Sequence, residues 1–159
     1  MSAPNVTGWE SQILRALGAP TSANNINTLD TWVQAEGGYA ANNPFNTTVQ
    51  SGYSGDTWYN TFYDKNGGGP YHVLNFGSWQ AGLTATVNTL NQGNFSSIKS
   101  ALVQDVPTSQ IGSIITSSGW GTSSWPTQST SYQPEQSSTS SSSGSGQTPV
   151  VGGIGDFFS

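Results

Sequence analysis

Leu29, Trp32, Val33 and Glu36 recur at i, i+3, i+4 and i+7, the spacing that puts residues on one face of a helix. Three are core formers and the fourth is an acid, so a helix over 25–36 must turn a carboxylate toward the same interior as its apolar side chains. Gly37-Gly38 ends the stripe, because glycine accepts the left-handed conformation after a helix C-terminus. A carboxyl held against apolar neighbours has its charged form disfavoured and its pKa raised, as a general acid working near neutrality requires. The structural alternative for Glu36 is a half-exposed helix-end acid that reaches water. Within about ten residues follows a turn-rich run, Asn42-Asn43-Pro44-Phe45-Asn46-Thr47-Thr48.

The other helical periods are short. Residues 7–18 predict a helix capped by Thr7, with Glu10 as the capping-box acid and Trp9, Ile13, Leu14 and Leu17 on its inner face. Ser78 is the expected cap of a helix over 78–92, carrying Trp79, Leu83, Val87 and Leu90 and stopped by Gly93. Asn94 is expected to cap a further helix with Phe95, Ile98 and Leu102, and a last one spans about 108–117 with Ile111, Ile114 and Ile115. Trp120-Gly121-Thr122 closes the domain. Residues 39–76 sustain no helical period and predict long loops with one short hairpin, His72–Phe76 being extended. A long irregular stretch inside a small domain is a candidate binding region.

This predicts a mainly α single domain over 1–125 with an irregular loop or short β lobe. Residues 126–148 read as a linker whose Ser129–Thr148 stretch is Ser/Thr/Gly/Gln-rich without core formers, hence a disordered tail. A coil of that length reaches about 25 Å. Residues 149–159 turn apolar again, and Ile154, Phe157 and Phe158 are the expected anchors of a peptide that docks on a larger assembly, the alternative being a tail that packs back on the domain.

Charge and residue counts exclude several function classes. Only Arg15, Lys65 and Lys99 are strong bases and the net charge is −5, which gives no basic patch for nucleic acid or an anionic membrane. Without cysteine, and with His72 as the one histidine, no thiolate or histidine-rich metal site is available, and no metal or cofactor is expected. No Gly-x-Ser-x-Gly elbow or phosphate-binding glycine loop occurs. The start of the chain lacks a basic segment followed by an apolar run, and no apolar run reaches membrane-spanning length, so synthesis in the cytoplasm is expected. Six Trp, six Tyr and six Phe, beside many Asn, Gln, Ser and Thr, suit a polyhydroxylated ligand such as a sugar, although with few aliphatic residues most aromatics must serve the core. Trp32 and Trp79 are assigned to the core and His72 to the surface of a strand.

The sequence Trp32-x-x-x-Glu36-Gly37-Gly38, Asn43-Pro44-Phe45-Asn46-Thr47-Thr48, Asn75-Phe76-x-Ser78-Trp79-x-x-Gly82-Leu83-x-Ala85-Thr86-Val87-x-Thr89-Leu90 and Ser118-x-Trp120-Gly121-Thr122 resembles the lysozyme-like domain of tail and other virion proteins from phages of actinobacteria. The resemblance covers about residues 8–123. More distantly, the layout is similar to goose-type lysozymes, lytic transglycosylases and flagellar-type glucosaminidases. It implies a lysozyme-like α+β fold and cleavage of peptidoglycan glycan strands with Glu36 as catalytic acid. Asp56 or Asp64, the acids of the irregular lobe, would be the second carboxylate, unless the substrate's own 6-hydroxyl closes the ring as in a lytic transglycosylase. Asn43 and Asn46 would hydrogen-bond an N-acetyl group or orient a water, or else brace the turn. Tyr39, Trp58, Tyr59, Phe62, Tyr63 and Tyr71 would line the sugar groove. Peptidoglycan is itself partly anionic, so an acidic chain would need delivery by the virion or tail, which the apolar C-terminal peptide would join. The alternatives are a catalytically inactive wall-binding tail module and an endolysin released from the host cytoplasm.

Overall fold

The computed structural model describes residues 4–37, 40–48, 57–63 and 66–126. Among them are five α-helices and one two-stranded sheet: α1 Trp9–Leu17, α2 Ala23–Glu36, β1 Thr57–Phe62, β2 Tyr71–Asn75, α3 Trp79–Leu90, α4 Ser96–Val103 and α5 Thr108–Thr116. The predicted mainly helical body with a small β lobe is therefore present. The linker and docking peptide, including Ile154, Phe157 and Phe158, lie outside the described residues.

Local chemistry sets the helix ends, and four differ from expectation. Gly8, not Thr7, precedes α1: its φ of 74° is a left-handed conformation that threonine resists, and no side chain caps the helix. Gly18, at φ 76°, closes α1 in a Schellman pair, with Ala19 N–H donating to Leu14 O at 2.8 Å and Gly18 N–H to Arg15 O at 3.0 Å. Helix α2 starts before residue 25, because the Ser22 hydroxyl accepts from Asn25 N–H at 3.0 Å. Ser78 caps α3 as expected, accepting from Ala81 N–H at 3.1 Å. That helix ends at Leu90, and Gly93 opens a 3-10 turn through Phe95 instead of stopping it. Asn94 falls inside this turn, so Phe95 takes the cap position of α4.

The core is aromatic where aliphatic residues are scarce. Trp32 stacks on Phe45 with ring centroids 4.1 Å apart, and Trp120 meets Trp32 and Phe95 edge-on at 5.1 and 4.9 Å. Trp9 packs against Phe45 and Trp79. Trp32 and Trp120 are fully buried, whereas Trp79 is half-buried at the edge and donates its indole N–H to Gln12 Oε1 at 2.9 Å. Buried indole donors need partners, and that of Trp120 donates to Phe45 O at 2.8 Å. Helix α1 packs on α2, α3 and α4, and α5 on α2 and α4. The start of α2 is stitched to the α4–α5 turn: Asn24 Nδ2 donates to Asp105 Oδ1 and Val106 O, and Asn25 Nδ2 to Leu102 O.

The strands pair antiparallel, Thr57 opposite Asn75 and Phe62 opposite Tyr71, with an irregularity between Trp58 and Asn60 that leaves Tyr59 as the extra residue. Thr48 bridges to Val73 and joins the 40–48 loop to β2. That loop turns through left-handed Asn42 and Asn46, at φ 53° and 55°, a conformation asparagine tolerates better than most residues. Asparagine side chains hold it. Asn43 Nδ2 donates to Thr47 O and Leu74 O at 2.9 and 2.8 Å, its Oδ1 accepts from Thr47 N–H, and Asn42 Nδ2 donates to Phe76 O. Helix α3 backs the loop so closely that a Cβ on Gly82 would overlap the Asn42 carbonyl.

Candidate active site around Glu36

The last turn of α2 carries Glu36 into the interior, where it is 1% exposed. Both carboxyl oxygens have partners. Asn46 Nδ2 donates to Oε1 at 3.2 Å and to the Glu36 backbone carbonyl at 2.9 Å. The Thr122 hydroxyl donates to Oε2, and Trp32 Nε1–H donates in turn to Thr122 Oγ1 at 3.1 Å. The carboxyl thus sits at the meeting point of the α2 end, the asparagine loop and the closing segment after α5.

Burial dominates its electrostatics. Desolvation pushes the Glu36 pKa from 4.5 up to about 8, against smaller opposing effects of the hydrogen bonds from Thr122, Asn46 and Trp32. At pH 7 the group is therefore mostly a neutral acid with a transferable proton, the state the helical stripe predicts. The negative end of the α2 dipole acts in the same direction.

The structure brings two sequence-selected residues together, Glu36 and Asn46. Asn43 is buried with its whole amide engaged in the loop, so its place is that of a loop brace. Trp58, Tyr59 and Tyr63 are 65%, 41% and 60% exposed on the hairpin. Tyr71 is half-buried and packs on the small cluster of Ala40 and Val73, while Phe62 pairs through its backbone with Tyr71. Tyr39, Asp56 and Asp64 lie outside the described residues.

Three features were not foreseen. Thr122 touches the carboxyl from 86 residues away, a separation that no local pattern encodes. Trp32 was assigned to packing alone, yet its N–H orients Thr122. His72 lies on β2 as expected, and it also stacks on Trp58 with centroids 3.7 Å apart and planes 7° from parallel, while its Nδ1 shares a hydrogen bond with Thr61 Oγ1 at 2.9 Å. The stack makes Trp58 a braced platform.

Among the described residues, no group of His, Cys, Asp and Glu is arranged to hold a metal ion, and no helix is long and apolar enough to cross a membrane. Comparison with known proteins gave no match to a family model, to a curated protein or to a solved structure.

Proposed function

We propose that this is a lysozyme-like domain that cleaves the glycan strand of peptidoglycan, carried by a phage virion or tail to open the cell wall during genome delivery. The observation that carries the reading is the burial of the Glu36 carboxyl at a helix end, where desolvation pushes its pKa up to about 8. In the reaction Glu36 donates its proton to the glycosidic oxygen as the C–O bond breaks, and positive charge develops on the sugar ring. Two routes complete the step. Asp56 or Asp64 supports the ring cation while water adds its oxygen to the ring carbon and gives a proton back to the Glu36 carboxylate, or the substrate's 6-hydroxyl attacks and returns its proton to the Glu36 carboxylate. The second route needs one protein carboxyl alone. The exposed Trp58, backed by His72, together with Tyr59 and Tyr63, supplies flat surfaces on which sugar rings stack. Apolar residues 149–159 would join the chain to the particle.

A second reading has its own observation. Both Glu36 oxygens are hydrogen-bonded inside the protein and the side chain is 1% exposed, as expected of a lysozyme-like module that has kept the fold and binds wall glycan without cutting it. The full chain, its Glu36→Gln variant and its Trp58→Ala variant, incubated with actinobacterial peptidoglycan, separate the two. Soluble glycan fragments from wild type and not from Glu36→Gln support cleavage, and 1,6-anhydro ends identify the transglycosylase route. Equal release from both refutes Glu36 as the acid. No release, with pull-down on insoluble wall that Trp58→Ala weakens, supports the binding module. Absence of the chain from purified particles refutes the virion assignment.

A further inference from the structure

The hydrogen bonds around Glu36 have a direction, and it follows from which groups can only donate. An indole N–H has no acceptor, so Trp32 Nε1 must donate to Thr122 Oγ1. This occupies a lone pair of the threonine oxygen and turns its single hydroxyl hydrogen toward its other neighbour, Glu36 Oε2. All three side chains are buried, so water does not compete for these positions. A proton on Oε2 would leave the buried threonine hydrogen without this acceptor, so Oε2 is the acceptor and the proton of the neutral acid goes to Oε1. That oxygen has the looser partner, since the Asn46 amide lies 3.2 Å from Oε1 and 2.9 Å from the Glu36 backbone carbonyl.

We propose that Thr122, oriented by the Trp32 indole, is a positioning residue that fixes the transferable proton of Glu36 on Oε1 and stabilises the carboxylate left when that proton departs. The proposal rests on Glu36 being the acid of the reaction above. It assigns the two oxygens different tasks. Oε1 is the oxygen that serves the glycosidic oxygen, which requires the Asn46 amide covering it to move aside, and Oε2 is anchored. It also gives Thr122 a chemical effect: a donor to the charged form keeps a desolvated carboxyl from becoming too weak an acid to ionise. The remaining contributions to its acidity among the described residues are burial, the Asn46 amide, and the Trp32 indole, whose N–H donates to Thr122 and also acts on the nearby carboxyl.

The test reads the carboxyl directly and does not require turnover. The full chain is labelled with 13C at the glutamate carboxyls and 15N at the indoles and titrated by NMR, Glu36 being assigned by its loss in Glu36→Gln. In the wild type the Trp32 indole N–H resonance should move with the same midpoint as the Glu36 carboxyl, because Thr122 links them. Thr122→Val should raise that midpoint by roughly one pH unit, a tenfold weaker acid, and, by removing the acceptor of the Trp32 N–H, shift the indole resonance even at acid pH where Glu36 is neutral. Thr122→Ser, which keeps the hydroxyl, should restore both. A folded Thr122→Val with an unchanged midpoint overturns the proposal, and so does a wild-type Trp32 resonance that ignores Glu36, a result available even if the valine variant does not fold. Where wall cleavage is observed, Thr122→Val should shift the pH profile of kcat by the same amount with KM unchanged. A chain that does not cleave wall but passes the NMR test loses the proposed activity and keeps the hydrogen-bond relay.

Discussion

The burial of Glu36 has a thermodynamic consequence measurable without a substrate. Its carboxyl titrates near 4.5 in the unfolded chain and at about 8 in the folded one. Between these values the native state holds a proton that the unfolded state has released, so stability is greatest at acid pH and falls as pH rises, levelling off above the folded pKa. The slope is about 1.4 kcal/mol per pH unit. Against the fully protonated reference, the loss reaches about 3 kcal/mol at pH 7 and about 4 kcal/mol at pH 8. That is a large fraction of the stability of a domain this size. Glu36→Gln removes the titration and keeps the side-chain volume. The glutamine oxygen can accept from Thr122, but its NH2 group then faces the Asn46 Nδ2, which also donates to the Glu36 backbone carbonyl. A protonated Oε1 still has a lone pair for the Asn46 N–H and an amide NH2 has none, so the contact costs the variant about 1–2 kcal/mol at every pH. The difference between variant and wild type cancels the other acids, so urea denaturation of both at pH 5, 6, 7 and 8 isolates Glu36. The variant should gain on wild type by about 2–3 kcal/mol between pH 5 and pH 7. Parallel profiles would refute the argument, because a carboxylate that stays ionised in the folded protein leaves no such difference.

Other substitutions test the scaffold. Gly82→Ala pushes a methyl group into the Asn42 carbonyl, so α3 must move from the loop, and urea denaturation should show a loss of about 3 kcal/mol. Asn43→Ala strips partners from Thr47 N–H, Thr47 O and Leu74 O in the interior, and thermal unfolding should report about 3 kcal/mol of destabilisation. Trp58→Ala removes an exposed ring and its stack on His72, so it should cost at most about 1 kcal/mol by the same assay while markedly weakening wall-glycan retention in pull-down.

How far the fold could be read from the chain depended on how local each signal was. The α2 stripe needs only helical spacing, and Leu29, Trp32, Val33 and Glu36 are all buried as that spacing requires. Ser78 was legible because a cap acts across three residues. Gly8 and Gly93 show the limit. Glycine marks a chain reversal without saying on which side of it a helix lies, so Gly8 opens α1 and Gly93 begins a 3-10 turn. The asparagine run 42–46 announced a turn, yet which amide braces the loop and which meets the acid depends on the partners β2 presents. Asn43 reaches Leu74 and Asn46 reaches Glu36. Thr122 was beyond any local rule, since only the packing of the segment after α5 against α2 brings its hydroxyl to the carboxyl.

The energetics also bear on why a carboxyl, and not an amide, occupies this position. A buried glutamate that served only to tie α2 to Asn46 and Thr122 would lower stability at neutral pH by about 3 kcal/mol relative to a neutral side chain with equivalent hydrogen bonds. Among the described residues no cation relieves that penalty: the carboxyl meets neutral donors, and desolvation outweighs them. Nor do they make the group inert, because Oε2 is supplied with a hydroxyl donor that stabilises the anion once it forms. An acid that is neutral at rest and supported after losing its proton has the two properties that proton donation followed by return demands. A purely structural tie requires neither. If Glu36→Gln proves more stable than wild type at pH 7 yet releases no glycan fragments where wild type does, the stability forgone at this position is accounted for by its chemistry.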